Sequence, residues 1–192
     1  MITGKNIVLT GASSGIGLEV LKILKQGEGN RILAVARKVD NLYNMGDNVI
    51  PFACDVSSAE GVEQIFDRAE AIFGHIDLFY ANAGFPYYEE FNYTDWDRVE
   101  DMFRTNTFSP IYTYSRYVKH LDGRPGILAF TVSAIGQMAM PGYAIYSASK
   151  FGLQGFQQAI RLEKPKNMQL TCLYPVATDT NFFKVANELK FE

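Results

Sequence analysis

Apolar runs of strand length alternate with longer segments of helical period along 192 residues. This alternation predicts an α/β fold: a doubly wound parallel sheet in three α/β/α layers. Two further observations support it. The strand-like runs are apolar nearly throughout, as expected of strands covered on both faces. A glycine-rich turn also joins the first strand to the first helix.

Taken in order, residues 7–10 (Ile-Val-Leu-Thr) read as a strand, and residues 15–26 carry Ile16, Val20, Ile23 and Leu24 on one helical face. Strands follow at 31–37 and 49–54. Residues 58–73 are helical, with Val62, Ile65, Phe66, Ala69, Ile72 and Phe73 as the buried stripe. A fourth strand is expected at 76–82 and a long helix from Thr94 to about Leu121. A fifth strand over 126–133 closes at Ser133. A helix over 143–163, a sixth strand over 168–174 and a short helical tail complete the chain. No repeat, linker or low-complexity stretch divides it, so 1–192 reads as one domain, with 175–192 as a segment able to close over a site.

Composition excludes several classes. Hydrophobic residues make up 47% and charged residues 20%, an ordinary globular mix. A net charge of -3 gives no reason to expect nucleic acid or an anionic membrane surface as partner. No apolar run spans a bilayer and the N-terminus lacks a signal-peptide layout, which points to a cytoplasmic protein. Cys54 and Cys172 read as reduced core thiols, and with His75 and His120 they make no metal-ligand pattern.

The turn Thr10-Gly11-Ala12-Ser13-Ser14-Gly15-Ile16-Gly17 links strand to helix. Glycine permits the tight turn and a close backbone approach, and the exposed N–H groups at the helix start favour a pyrophosphate. Gly11, Ser13, Ser14, Ile16 and Gly17 are therefore expected to hold a dinucleotide on a Rossmann-type sheet. No Lys-Ser/Thr follows Gly17, which argues against a nucleotide-triphosphate loop. The second strand ends Val35-Ala36-Arg37-Lys38 and offers no carboxylate before Asp40. A basic residue there accommodates a 2′-phosphate, so Arg37 favours NADP over NAD.

Tyr146 and Lys150 lie four residues apart near a helix start and share a face. A nearby ammonium is expected to lower the phenol pKa from its free value near 10, fitting Tyr146 for acid–base work on a carbonyl or alcohol oxygen. Ser133, at the carboxyl end of its strand, could hold that oxygen. Asn106 interrupts the buried stripe of the long helix. Pro110 has no N–H for the Asn106 carbonyl, so a kink is expected there, with that carbonyl free to bind a water relaying protons to Lys150. A plain proline kink capped by Asn106 is the alternative.

Together these residues resemble the classical short-chain dehydrogenase/reductase (SDR) family over nearly the whole chain, from Thr10 to Thr180. The turn resembles TGxxxGxG, and Asn82-Ala83-Gly84 matches the end of NNAG, with Ala81 in place of its first Asn. The resemblance implies that Asn106, Ser133, Tyr146 and Lys150 form a catalytic tetrad. It implies that Asp55 and Val56 lie at the adenine, and that Asn82, Ala83, Gly84, Pro175, Val176, Thr178 and Thr180 line the cofactor. Tyr146 and Lys150 would also contact the cofactor, Lys150 at the nicotinamide ribose. The implied reaction is hydride transfer between NADP(H) and a carbonyl or alcohol. Three departures stand out: Pro175-Val176 replaces Pro-Gly, Thr178 replaces an aliphatic residue, and the chain ends at Glu192 before the family's seventh strand. A missing tail is expected, or else a sheet whose sixth strand is an apolar edge.

The residues expected to face a substrate are Tyr87, Tyr88, Phe91, Ile135, Met138, Met140, Phe182 and Phe183. They favour a moderately hydrophobic ketone, aldehyde or secondary alcohol, unless they merely pack under loops. Gly152 and Gly155 inside the last long helix suggest close packing against another backbone, and a homodimer or homotetramer is expected. A non-catalytic NADP(H)-binding sensor or scaffold is the alternative function. An epimerase or dehydratase would need a larger substrate domain.

Overall fold

The computed structural model describes residues 2–88 and 95–176. Among them six strands form one all-parallel sheet in the order β3-β2-β1-β4-β5-β6. The strands are β1 (Asn6–Thr10), β2 (Arg31–Ala36), β3 (Val49–Ala53), β4 (Leu78–Ala81), β5 (Gly126–Thr131) and β6 (Met168–Leu173). The helices are α1 (Gly15–Leu24), α2 (Ala59–Phe73), α3 (Trp96–Phe103), α4 (Ser109–Leu121) and α5 (Ala144–Glu163). The order reverses between β1 and β4, which puts the switch-point crevice at the carboxyl ends of these two strands.

The two faces of the sheet bury separate cores. On one, Val8, Leu33, Phe79, Leu128 and Phe130 meet Ile65, Phe66, Tyr117, Leu153 and Ile160 from α2, α4 and α5. On the other, Ile7, Leu9, Ile32, Ala34 and Tyr80 meet Leu21 and Leu24 of α1. Each fully buried large apolar side chain contributes about 1.5–3 kcal/mol. The central strands β1, β2 and β4 are buried on both faces, as their continuous apolar runs require. β6 differs from the expected apolar edge. Gln169 and Thr171 are exposed while Met168 and Leu170 are buried, so polar and apolar residues alternate along it.

The expected single helix over 94–121 is three pieces. Between α3 and α4 the chain forms a π-helical turn over Arg104–Phe108, where the Ser109 N–H bonds the Arg104 carbonyl. Pro110 cannot donate to the Asn106 carbonyl, and its ring crowds that turn, so the bonding slips from i+4 to i+5. The simple kink expected from the sequence is thus a widened turn. Widening lets three consecutive polar residues, Thr105, Asn106 and Thr107, face inward together.

α4 also fastens the entry to β4. Buried His120 accepts a hydrogen bond at Nε2 from the Ile76 N–H (2.9 Å), and its Nδ1 lies 2.8 Å from Glu70 Oε1. That arrangement needs the neutral ring with its proton on Nδ1. Burial outweighs the Glu70 contact and holds the His120 pKa below 6.5. The unfolded chain therefore takes up this proton first. The stabilisation is complete above about pH 6.5 and is lost as pH falls toward the folded value. Denaturant unfolding at pH 7.5 and 5.5 should show a loss of stability on acidification that is smaller in His120→Gln.

Candidate active site

The glycine turn is shaped by close approach. Gly11 and Gly15 have left-handed backbones (φ 67° and 51°). A Cβ on Gly17 would sit 2.1 Å from the Gly11 carbonyl oxygen, so only glycine lets α1 start this close to β1. Ser14 occupies the N-cap of α1 without a side-chain hydrogen bond to the helix. The helix N-terminus thus keeps N–H groups for an anion. Behind the turn, the Thr10 hydroxyl accepts from the N–H groups of Asn82 and Ala83 (3.1 Å each). The Asn82 side chain donates to the Thr10 carbonyl (3.1 Å) and accepts from the Thr131 hydroxyl (2.9 Å). Asn82 thus ties β1, β4 and β5 together at their carboxyl ends.

Arg37 and Lys38 follow β2 directly and are exposed. The Asn41 side chain donates to the Ser13 carbonyl (2.8 Å) and joins the segment after β2 to the glycine turn. Asp55 accepts from the Ser57 N–H (2.9 Å), shaping the turn into α2, and Val56 beside it is buried. Pro175 follows β6, and its carbonyl accepts from the Ala134 N–H (3.0 Å), while Val176 is 73% exposed. Thr178, Thr180, Phe182, Phe183 and Phe91 lie outside the described residues.

Ser133, Tyr146 and Lys150 come together beyond the end of β5. Ser133 does not close the strand as expected; β5 ends at Thr131, and Ser133 caps a 3-10 turn over Ala134–Gly136. Its φ of 95° is a strained value for a side-chain-bearing residue, of the kind that concentrates at functional sites. The Ser133 hydroxyl accepts from the Ile135 N–H (3.2 Å) and hydrogen-bonds the Tyr146 hydroxyl. Tyr146 is 3% exposed. Lys150, buried below it in the next turn of α5, donates from Nζ to the Thr131 carbonyl (2.9 Å), and Nζ lies 5.8 Å from the Tyr146 ring centroid.

The electrostatics correct one expectation. Burial pushes the Tyr146 phenol up to about 12, opposed by the Ser133 hydrogen bond. Burial also pushes the Lys150 ammonium down to about 8. The expected lowering of the phenol does not occur in the chain alone. Lys150 is turned to the Thr131 carbonyl and is itself stripped of water, so desolvation governs both groups.

Asn106 is fully buried, and its side chain makes three links. Oδ1 accepts from the Phe85 N–H (3.0 Å), and Nδ2 donates to the Phe85 carbonyl (2.9 Å) and the Ser149 hydroxyl (3.2 Å). Gly84 is passed closely: a Cβ there would lie 2.9 Å from Asn106 Oδ1 and 3.4 Å from Lys150 Nζ. Sequence reasoning missed Thr107, Thr131, Ser149 and Asn41. Their only signal is polarity beside expected site residues, and their partners lie far away in sequence.

The aromatic residues expected at a substrate divide. Tyr143 and Tyr146 stack edge-on (6.3 Å), and Tyr88 packs edge-on against Tyr143 (5.5 Å). Ile135 joins this cluster, whereas Met138 and Met140 are exposed. Among the described residues a Cβ on Gly155 meets nothing within 4 Å and one on Gly152 meets only Thr107 Cγ2 at 3.4 Å, so the close packing expected at these glycines is not made among them. Among the described residues no helix is long and apolar enough to cross a membrane.

Comparison with known proteins identifies the family. The chain is 31% identical over 188 residues to an uncharacterized oxidoreductase, YxnA, of Bacillus subtilis (strain 168), covering 92% of this chain and 52% of that protein. It is 30% identical over 203 residues to the 3-ketodihydrosphingosine reductase of Bos taurus, covering 98% and 61%. The chain thus spans roughly half to three fifths of the length of these curated relatives. An alcohol dehydrogenase from the archaeon Thermococcus sibiricus, complexed with 5-hydroxy-NADP, superposes with a TM-score of 0.84 at 26% identity, over 93% of this chain and 78% of that one. The sequence profile of the short chain dehydrogenases matches residues 5–190. The chain belongs to the short-chain dehydrogenase family.

Proposed function

We propose that this short-chain dehydrogenase interconverts a carbonyl and an alcohol with NADP(H), and that Tyr146 moves the proton. The observation that carries the reading is the Ser133–Tyr146–Lys150 group, with Tyr146 and Lys150 buried, at the carboxyl end of a sheet whose first helix starts from an uncapped, glycine-shaped turn.

The turn fits a dinucleotide: the uncapped α1 terminus and the left-handed glycines leave N–H groups and space for a pyrophosphate. Gly11, Ser13, Ser14, Ile16 and Gly17 would hold it. Asp55 and Val56 would flank the adenine, and Asn82, Ala83, Gly84, Pro175, Val176, Thr178 and Thr180 the remainder. The bound cofactor supplies or accepts a hydride at its nicotinamide ring. The chain's own groups do the rest. Ser133 orients the substrate oxygen toward Tyr146. The phenol, protonated at neutral pH, donates to the oxygen as negative charge develops there. The Lys150 ammonium steadies the phenolate that remains. In the reverse direction Tyr146 must first lose its proton. A water on the Asn106 carbonyl would return protons from solvent to Lys150. The likeness to a 3-ketodihydrosphingosine reductase and the Tyr143 ring beside Tyr146 support a moderately hydrophobic carbonyl substrate.

An NADPH-oxidation screen across carbonyls of graded hydrophobicity tests this reading; turnover confined to small polar carbonyls overturns the substrate class. Exposed Arg37 supports selection for the 2′-phosphate. Arg37→Ala is expected to weaken NADPH binding about tenfold, the equivalent of about 1.4 kcal/mol, with NADH binding unchanged. Calorimetric titration of both cofactors measures it, and equal NADPH affinity in parent and variant removes Arg37 from the role.

A further inference from the structure

The widened turn over Arg104–Phe108 reaches the helix that carries Tyr146 and Lys150 by two buried bonds. The Thr107 hydroxyl donates to the Ser149 carbonyl (2.9 Å), and Asn106 Nδ2 donates to the Ser149 hydroxyl (3.2 Å). The Ser149 hydroxyl in turn donates to the Tyr146 carbonyl (2.7 Å). Ser149 and Asn106 are 0% exposed and Thr107 is 5% exposed. Water therefore does not compete for these bonds. The clamp falls on the single turn of α5 bounded by the two groups that need fixed positions. Within the i+5 turn beside Pro110, Asn106 and Thr107 both reach Ser149 of α5.

We infer that Thr107 and Ser149 are positioning residues for the reaction: through the π-helical turn they set where α5 presents Tyr146 and Lys150. The inference rests on the proposed carbonyl–alcohol reaction. Neither side chain need touch substrate or cofactor. Thr107 acts by holding the Ser149 carbonyl, and Ser149 by linking Asn106 to the Tyr146 backbone. Thr107→Val keeps the shape and deletes the hydroxyl, Thr107→Ser restores the hydroxyl, and Ser149→Ala deletes the second link.

The test is steady-state carbonyl reduction by the whole chain over a range of pH, with Tyr146→Phe in parallel. Thr107→Val is expected to lower kcat by roughly tenfold, because small misplacements of catalytic groups are costly in rate. It should leave the KM for NADPH within about twofold of the parent, because the glycine turn is untouched. The pH at which kcat declines should move with it, and Thr107→Ser should return both to parental values. Ser149→Ala is expected to act in the same direction, and it carries the test if Thr107→Val does not fold. Parental kcat and pH profile in a folded Thr107→Val or Ser149→Ala overturns the clamp. So does a Thr107→Ser variant as impaired as Thr107→Val. A parent that oxidises NADPH with no carbonyl overturns the proposed reaction instead, and the clamp with it.

Discussion

Tyr146→Phe is expected to lower kcat for carbonyl reduction by about 10²–10⁴-fold, the range that a positioned general acid contributes. The substitution keeps the ring and its edge-on contact with Tyr143, so the aromatic cluster stays filled. What it removes is the hydroxyl that meets Ser133 beyond the end of β5. Cofactor affinity should remain within about twofold of the parent, since the turn proposed to hold the pyrophosphate is unchanged. Parallel kcat and calorimetric measurements separate the two effects. A variant with parental kcat would remove Tyr146 from the chemistry.

Gly17→Ala is expected to be the most damaging single methyl in the dinucleotide turn. The new Cβ would meet the Gly11 carbonyl oxygen at 2.1 Å and Asn82 Nδ2 at 2.6 Å. Neither neighbour can retreat cheaply: one is backbone, and the other braces β1 through the Thr10 carbonyl. Overpacking of this kind costs about 1–3 kcal/mol of stability. It should also push the first turn of α1 away from β1 and weaken NADP(H) binding by more than about tenfold. Gly155→Ala is the informative comparison. Its Cβ would enter open space in a helix interior, where alanine is favoured by about 1 kcal/mol. Thermal unfolding of both variants should shift in opposite directions.

The sheet was legible because its central strands are buried on both faces, so periodicity and composition agree over β1, β2 and β4. Edges were less so. β6 alternates Met168 and Leu170 with Gln169 and Thr171, a pattern that follows from an edge position set only by the whole topology. The site divides along the same line. Gly11, Gly17 and Arg37 announce themselves locally, through backbone freedom or charge beside a turn. Asn106 was visible as a polar break in an apolar stripe, and Pro110 marked the irregularity beside it. That the irregularity is a widened turn, and that Thr107 thereby faces Ser149 across 42 residues, depends on packing that no window of sequence contains. The Tyr146 phenol is the clearest such case. Spacing correctly suggests a cation nearby, but the balance between that cation and lost water is decided by burial, which raises the phenol to about 12.

Deuterium transfer tests the central claim most directly. The protein is incubated with a hydrophobic ketone and NADPH carrying deuterium at nicotinamide C4, and the products are read by mass spectrometry. One deuterium at the carbinol carbon of the alcohol, from one face of the nicotinamide only, with transfer slowed about 10²–10⁴-fold in Tyr146→Phe, is the expected result. NADPH that binds but passes no deuterium to any carbonyl would contradict the account and leave a nucleotide sensor in its place.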